Sequence, residues 1–190
     1  MITTRVHSML VAALCLGATL VVGPMAAPAW AQDWPPAAAE PFIRQIYTDV
    51  SSPGGGKLPD WGRVRSYFLK EAVIVMRTSR TETKVFNVDA FLKDFIDFYD
   101  RPRKVESGTI TPRQSGFTET VVRLKTWEHW DMAHILILYE AHIPGSPRKP
   151  EQGIDSWLLS RRDGRWWIVA CTNEIITADH PIPPELRGGK

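Results

Sequence analysis

The stretch Ile154-Asp-Ser-Trp-Leu-Leu-Ser-Arg-Arg162, the dipeptide Asp163-Gly164 and the stretch Arg165-Trp-Trp-Ile-Val-Ala-Cys-Thr-Asn173 decide the fold. Both flanks are rich in branched and aromatic residues, and Asp-Gly tolerates the positive φ angles of a two-residue turn, so the segment predicts a β-hairpin. Pairing Arg162 with Arg165 sets the register of everything below the turn. It places Asp155, Trp157, Leu159, Trp166, Ile168 and Thr172 on one face, and Ser156, Leu158, Val169, Cys171 and Asn173 on the other.

Working outward, residues 132–143 form the most strand-like segment of the chain, and residues 117–127 pair with them across a turn at Glu128-His-Trp-Asp131. Upstream the period changes. Phe42, Ile43, Ile46, Tyr47 and Val50 recur at helical spacings from Pro41 onward. Asp60 caps a short helix whose Trp61, Val64 and Phe68 share a face, and Ala72-Val-Ile-Val-Met76 marks a strand within residues 69–77. Asn87 opens a helix over residues 88–100 with Val88, Phe91, Leu92, Phe95, Phe98 and Tyr99 inward, and Pro102 ends it. Helices followed by consecutive strands predict an α+β domain in which an antiparallel sheet packs on the helices.

The chain has 190 residues, 44% hydrophobic, with 23 basic and 21 acidic side chains and a formal charge of +2. That balance lacks the concentrated positive field of a nucleic-acid binder, so no nucleic-acid partner is expected. Residues 1–31 carry Arg5, no acid, an apolar run shorter than the roughly 20 residues a membrane span needs, and the small-residue end Ala29-Trp30-Ala31. This is the order of a secretory signal, with cleavage expected before Gln32, a periplasmic or secreted product and no stable membrane anchor thereafter. The expected organisation is signal 1–31, Pro- and Ala-rich tether 32–40, one domain over 41–178 and a flexible tail over 179–190. Cys15 leaves with the signal, so Cys171 has no partner for an internal disulfide.

The aromatic first helix, the short helix with Trp61 and Phe68, the helix 88–100 and the ending Arg162-Asp-Gly-Arg-Trp-Trp-Ile-Val-Ala-Cys-Thr-Asn173 together resemble the nuclear transport factor 2-like superfamily, and within it the SnoaL-like and ketosteroid-isomerase-like bacterial branch. The resemblance implies a curved sheet wrapped as a cone around the helices, an apolar pocket at its open end, and often a homodimer through the sheet. The face carrying Asp155 and Trp157 resembles the inward face of that superfamily. On that footing Tyr47, Trp61, Phe95, Tyr99, Trp157, Trp166 and Thr172 are expected to line the pocket.

Three residues are candidates for chemistry. Asp155 is an acid or base whose pKa an apolar pocket would raise, or else an exposed residue at a strand start. Tyr47 holds a position resembling the oxyanion-binding Tyr of ketosteroid-isomerase-like members, or is a core Tyr with a satisfied hydroxyl. His134 is a pocket base, or lies on an outer face, because Ala133, Ile135, Ile137 and Tyr139 form the purer core pattern. His134 and His142 are about 26 Å apart along an extended strand, so no metal site is expected, and no cofactor motif is present. The functions in view are binding of a small apolar or amphipathic ligand, a cofactor-free isomerase, cyclase or dehydratase, and an envelope interaction module with a plugged pocket. An open cavity holding a carboxylate favours the enzyme, an open dry one the binder.

Overall fold

The computed structural model describes residues 38–79 and 81–188, so the proposed signal lies outside the described residues. Helix α1 (Ala39–Asp49) starts two residues ahead of the expected Pro41, with Ala39 already buried. Its apolar arc buries Phe42, Ile43, Ile46 and Tyr47. Asp60 caps α2 (Trp61–Arg65) by accepting the Arg63 N–H at 3.0 Å. Asp49 accepts hydrogen bonds from the Tyr67 hydroxyl, Arg63 Nε and Gln45 Nε2, tying α1 to the segment that follows α2.

Strands β1 (Phe68–Arg77) and β2 (Thr83–Phe86) lead into α3 (Val88–Asp100), whose Asn87 cap accepts the Ala90 N–H at 2.9 Å. A small hairpin, β3 (Arg103–Val105) and β4 (Gly108–Ile110), and the single-turn α4 (Pro112–Ser115) follow. The long strands are β5 (Thr118–His129), β6 (Met132–His142), β7 (Glu151–Arg162) and β8 (Arg165–Ile175).

Six strands form one curved sheet in the order β2-β1-β8-β7-β6-β5. The expectation of an antiparallel sheet needs one correction: β1 runs parallel to β8, so the sheet is mixed. Side-chain alternation is the same for either direction of a partner, so nothing local in β1 could have told them apart. Helix α1 packs on β5 and α3 on β1, which puts the helices toward opposite ends of the concave face. The core is continuous across them, from Phe42 and Ile46 through Ile74 to Ile135, Ile137, Trp157 and Ile168.

Register slips bend the sheet. One lies in β5 between Val121 and Arg123, one in β1 between Phe68 and Val73, and one in β8 beside Val169. The turn behaves as read, with Asp163 and Gly164 at φ 55° and 77° and Arg162 opposite Arg165. Leu159 still pairs with Ile168, but Leu158 pairs with Ala170, so Val169 is an extra residue. One inserted residue reverses every face beyond it. Thr172 therefore lies exposed opposite Ser156, while Cys171 and Asn173 join the face of Trp157 and Asp155.

The tail also departs from expectation. A 3-10 turn at Pro184–Leu186 packs against β5 and β6, and Leu186 is 1% exposed. The bulge makes a direct prediction. With Cys15 replaced by Ala, the native protein should show a Cys171 thiol that reacts with an aromatic disulfide reagent only at the rate of unfolding; prompt reaction would put Cys171 on the outer face and refute the slip.

Candidate functional site

The concave face encloses a cavity of about 1630 Å³. Its apolar wall comes from α3, because the spacing of Phe91, Phe95 and Phe98 keeps these rings in mutual contact, with centroids 5.9 and 5.8 Å apart. Phe68 continues the wall, 5.9 Å from Phe91 and 6.4 Å from Trp157. Trp157 is in turn 6.3 Å from Tyr47.

The polar floor is assembled from distant parts of the chain. Tyr47, on the buried arc of α1, donates its hydroxyl proton to Oδ2 of Asp155 and accepts the Trp157 indole N–H at 3.1 Å. Asp155 is only 7% exposed, and burial pushes its pKa up to about 7 against the lowering effect of the Tyr47 and Trp157 hydrogen bonds. Glu119 on β5 lines the same cavity, partly buried, and burial followed by the charge of Asp155 pushes it up to about 8. Tyr139 is held well above an ordinary phenol by burial, then by Asp155 and Glu119, with Asn173 opposing. Cys171 is pushed up by burial and then by the same two carboxylates.

Two carboxylates with raised pKa values on one cavity wall hold protons near neutral pH, so either can accept or donate one within a narrow pH range. Among the described residues, no group of three His, Cys, Asp or Glu side chains could hold a metal ion.

An α+β domain with a bent mixed sheet closing on two helices is matched among solved structures. An NTF2-like protein of unknown function from Pseudomonas putida superposes with a TM-score of 0.53 at 11% identity, over 81% of this chain and 99% of that one. The fold is nuclear transport factor 2-like. A protein of unknown function with a cystatin-like fold from Nostoc punctiforme matches with a TM-score of 0.52 at 8% identity, over 74% and 95% of the two chains. A Novosphingobium aromaticivorans protein, provisionally named an aromatic ring hydroxylase, matches with a TM-score of 0.50 at 11% identity, over 71% and 87%. No family model and no curated protein matches the sequence.

Within this nuclear transport factor 2-like fold, Tyr47, Phe95, Trp157 and Asp155 line the cavity. The other expected residues lie elsewhere. Trp61 packs on Phe95 and Tyr99 behind the wall, at 5.4 and 5.7 Å, and the Tyr99 hydroxyl donates to the Val50 carbonyl at 2.6 Å. Trp166 is buried under the Arg161 guanidinium, 4.6 Å above its ring, and Thr172 is turned out by the bulge. His134 is on the outer face, stacked 5.3 Å from Trp127 with Nε2 2.9 Å from Ser156 Oγ, so it is no pocket base. Glu119 was not foreseen, although Phe117, Glu119 and Val121 share a parity, and an acid in an apolar alternation is the signal.

A raised carboxylate pKa has a thermodynamic consequence. Between its unfolded and folded pKa values the native state holds a proton that the unfolded state has released, so raising the pH favours unfolding. Stability should fall from about pH 4 to pH 8, the window set by Asp155 and Glu119. Urea melts across that range should show the fall in the native protein and a flatter profile in Glu119→Gln; an unchanged profile in the variant would remove Glu119 from the coupled pair.

Proposed function

We propose that the domain binds a small amphipathic molecule in the cavity, with its polar end over Tyr47, Asp155 and Glu119. The observation that carries this reading is an aromatic-walled cavity of about 1630 Å³ ending on two carboxylates. Such a site supplies apolar area for affinity and a few placed polar groups for orientation. The Trp side chains do not fill it, which disfavours the plugged interaction module.

A second reading, a cofactor-free proton-transfer enzyme of the SnoaL-like kind, is favoured by the carboxylate pair itself. Both carboxylates are raised to the neutral range, about 7 for Asp155 and about 8 for Glu119, which suits removing a proton at one substrate atom and returning one at another. In this reading the Tyr47 hydroxyl is bound to Asp155 at rest and becomes a donor to substrate once Asp155 takes a proton. Hydrophobic ligands should quench the emission of Trp157, and Trp157→Phe should lose that part of the response. Absence of quenching across a broad ligand library would end the binding reading. Asp155→Asn should retain binding in both readings and lose turnover by about 10²-fold or more only in the second.

Two further proposals concern the whole protein. Export rests on the order of charge, apolar run and small residues over 1–31. Self-association through the outer sheet face rests on a row of registered residues, Val73, Ala170, Leu158, His134 and Trp127, of which Val73, Leu158 and Trp127 are each 45–48% exposed. Native mass spectrometry of the exported protein should give chains beginning at Gln32 in a complex of two; a chain beginning at Met1, or a monomer, would remove the corresponding proposal.

A further inference from the structure

The cavity also has a cationic part. Arg103 and Lys104 of β3, with Arg148 and Lys149 of the loop before β7, all line it. Among the described residues, no carboxylate stands within ion-pair distance of any of the four. The acids nearby are accounted for differently: Asp94 pairs with Arg101 at 3.8 Å, and Glu151 lines the cavity and favours the Arg103 charge without pairing with it.

Arg103 is the most constrained of the four. Its guanidinium carbon lies 5.3 Å from the Phe98 ring centroid, and its Nε is buried without a hydrogen-bond partner. Burial, and then the charges of Arg101 and Arg148, disfavours its protonated form. A buried donor facing like charges is stabilised by an anion, and a planar guanidinium fork fits the two oxygens of a carboxylate.

A continuous aromatic track joins this cationic part to the Tyr47–Asp155 pair. It begins at Phe98, under Arg103, and passes through Phe95, Phe91, Phe68 and Trp157 to Tyr47, with successive centroids 5.8, 5.9, 5.9, 6.4 and 6.3 Å apart. Every ring in the track lines the cavity. Building on the cavity-binding reading above, we propose that the ligand is a carboxylate-bearing amphiphile, its anionic head at Arg103, Arg148 and Lys149 and its apolar body along this track toward Asp155.

The test compares 1-pyrenebutyrate with its methyl ester, two fluorescent probes of nearly equal apolar area that differ in charge. The acid should bind about tenfold more tightly than the ester at low salt, the gap shrinking as salt is added. Arg103→Gln should bring the two affinities within about twofold of each other. The double variant Arg148→Gln/Lys149→Gln changes exposed loop residues, so folding is not at stake, and should narrow the gap part of the way. Equal affinities for acid and ester in the unaltered protein, or a gap that survives both variants, would overturn the anionic-head assignment and leave the cavity-binding reading standing. Failure of both probes to bind would overturn the cavity-binding reading itself.

Discussion

A phenol on the first helix and a carboxylate on the seventh strand meet inside the sheet, and the site depends on that meeting. Asp155 points into an apolar concave surface, where an unpaired carboxylate would lose its hydration without replacement. The Tyr47 hydroxyl supplies the missing donor from 108 positions away in sequence, and the Trp157 indole completes the Tyr47 oxygen's own bonding. The bond therefore does two things at once. It fixes the rotation of α1 against β7, because only one face of the helix presents Tyr47, and it keeps a titratable group stable in a place where hydrophobic packing alone would exclude it.

The apolar wall has a corresponding reason to stay open. Phe98 meets Phe117 at 4.8 Å edge to face, and Phe95 meets Trp61, Phe98 and Phe117, so the α3 rings are braced from behind by Trp61 of α2 and laterally by Phe117, a cavity-lining residue just ahead of β5. Rings held against several neighbours in a packed cluster keep their positions. Trp61 and Tyr99, expected in the pocket from their place on the apolar faces, act as this second layer. A helical stripe is wider than the strip of it that meets a cavity, and periodicity does not distinguish the two.

How far the sequence could be read follows the same division between local and long-range information. The Asp163-Gly164 turn, the caps at Asp60 and Asn87 and the apolar arcs of α1 and α3 are local features, and each is seen where its residues imply it. Pairing counted from the turn holds as far as Leu159 with Ile168. It fails at Val169 because Trp-Trp-Ile-Val contains no Gly or Pro to mark a bulge; the extra residue is set by the curvature of a sheet whose other strands lie far away in sequence. That single slip exchanges Thr172 for Cys171 and Asn173 on the inner face. Asp155 and Trp157 keep their place because the insertion is in the partner strand and not their own. The tail is similar: residues 179–190 are rich in Pro and polar groups, and only the sheet surface it meets gives Leu186 a place to be buried.

The acidic and cationic parts of the cavity lining impose opposite requirements on one occupant. At the floor, ionising both Asp155 and Glu119 places like charges in an apolar setting, so a ligand anion there would add a third, and the floor instead suits a group that accepts or exchanges a proton. At the cationic part, Arg103 Nε is a buried donor without a partner among cations, and there a negative charge removes a penalty. An apolar molecule with an acid at one end and a carbonyl or hydroxyl at the other satisfies both only in one orientation. Orientation is then set by the sign of the charge at each end, while the rings between Phe98 and Tyr47 contribute area that is indifferent to direction.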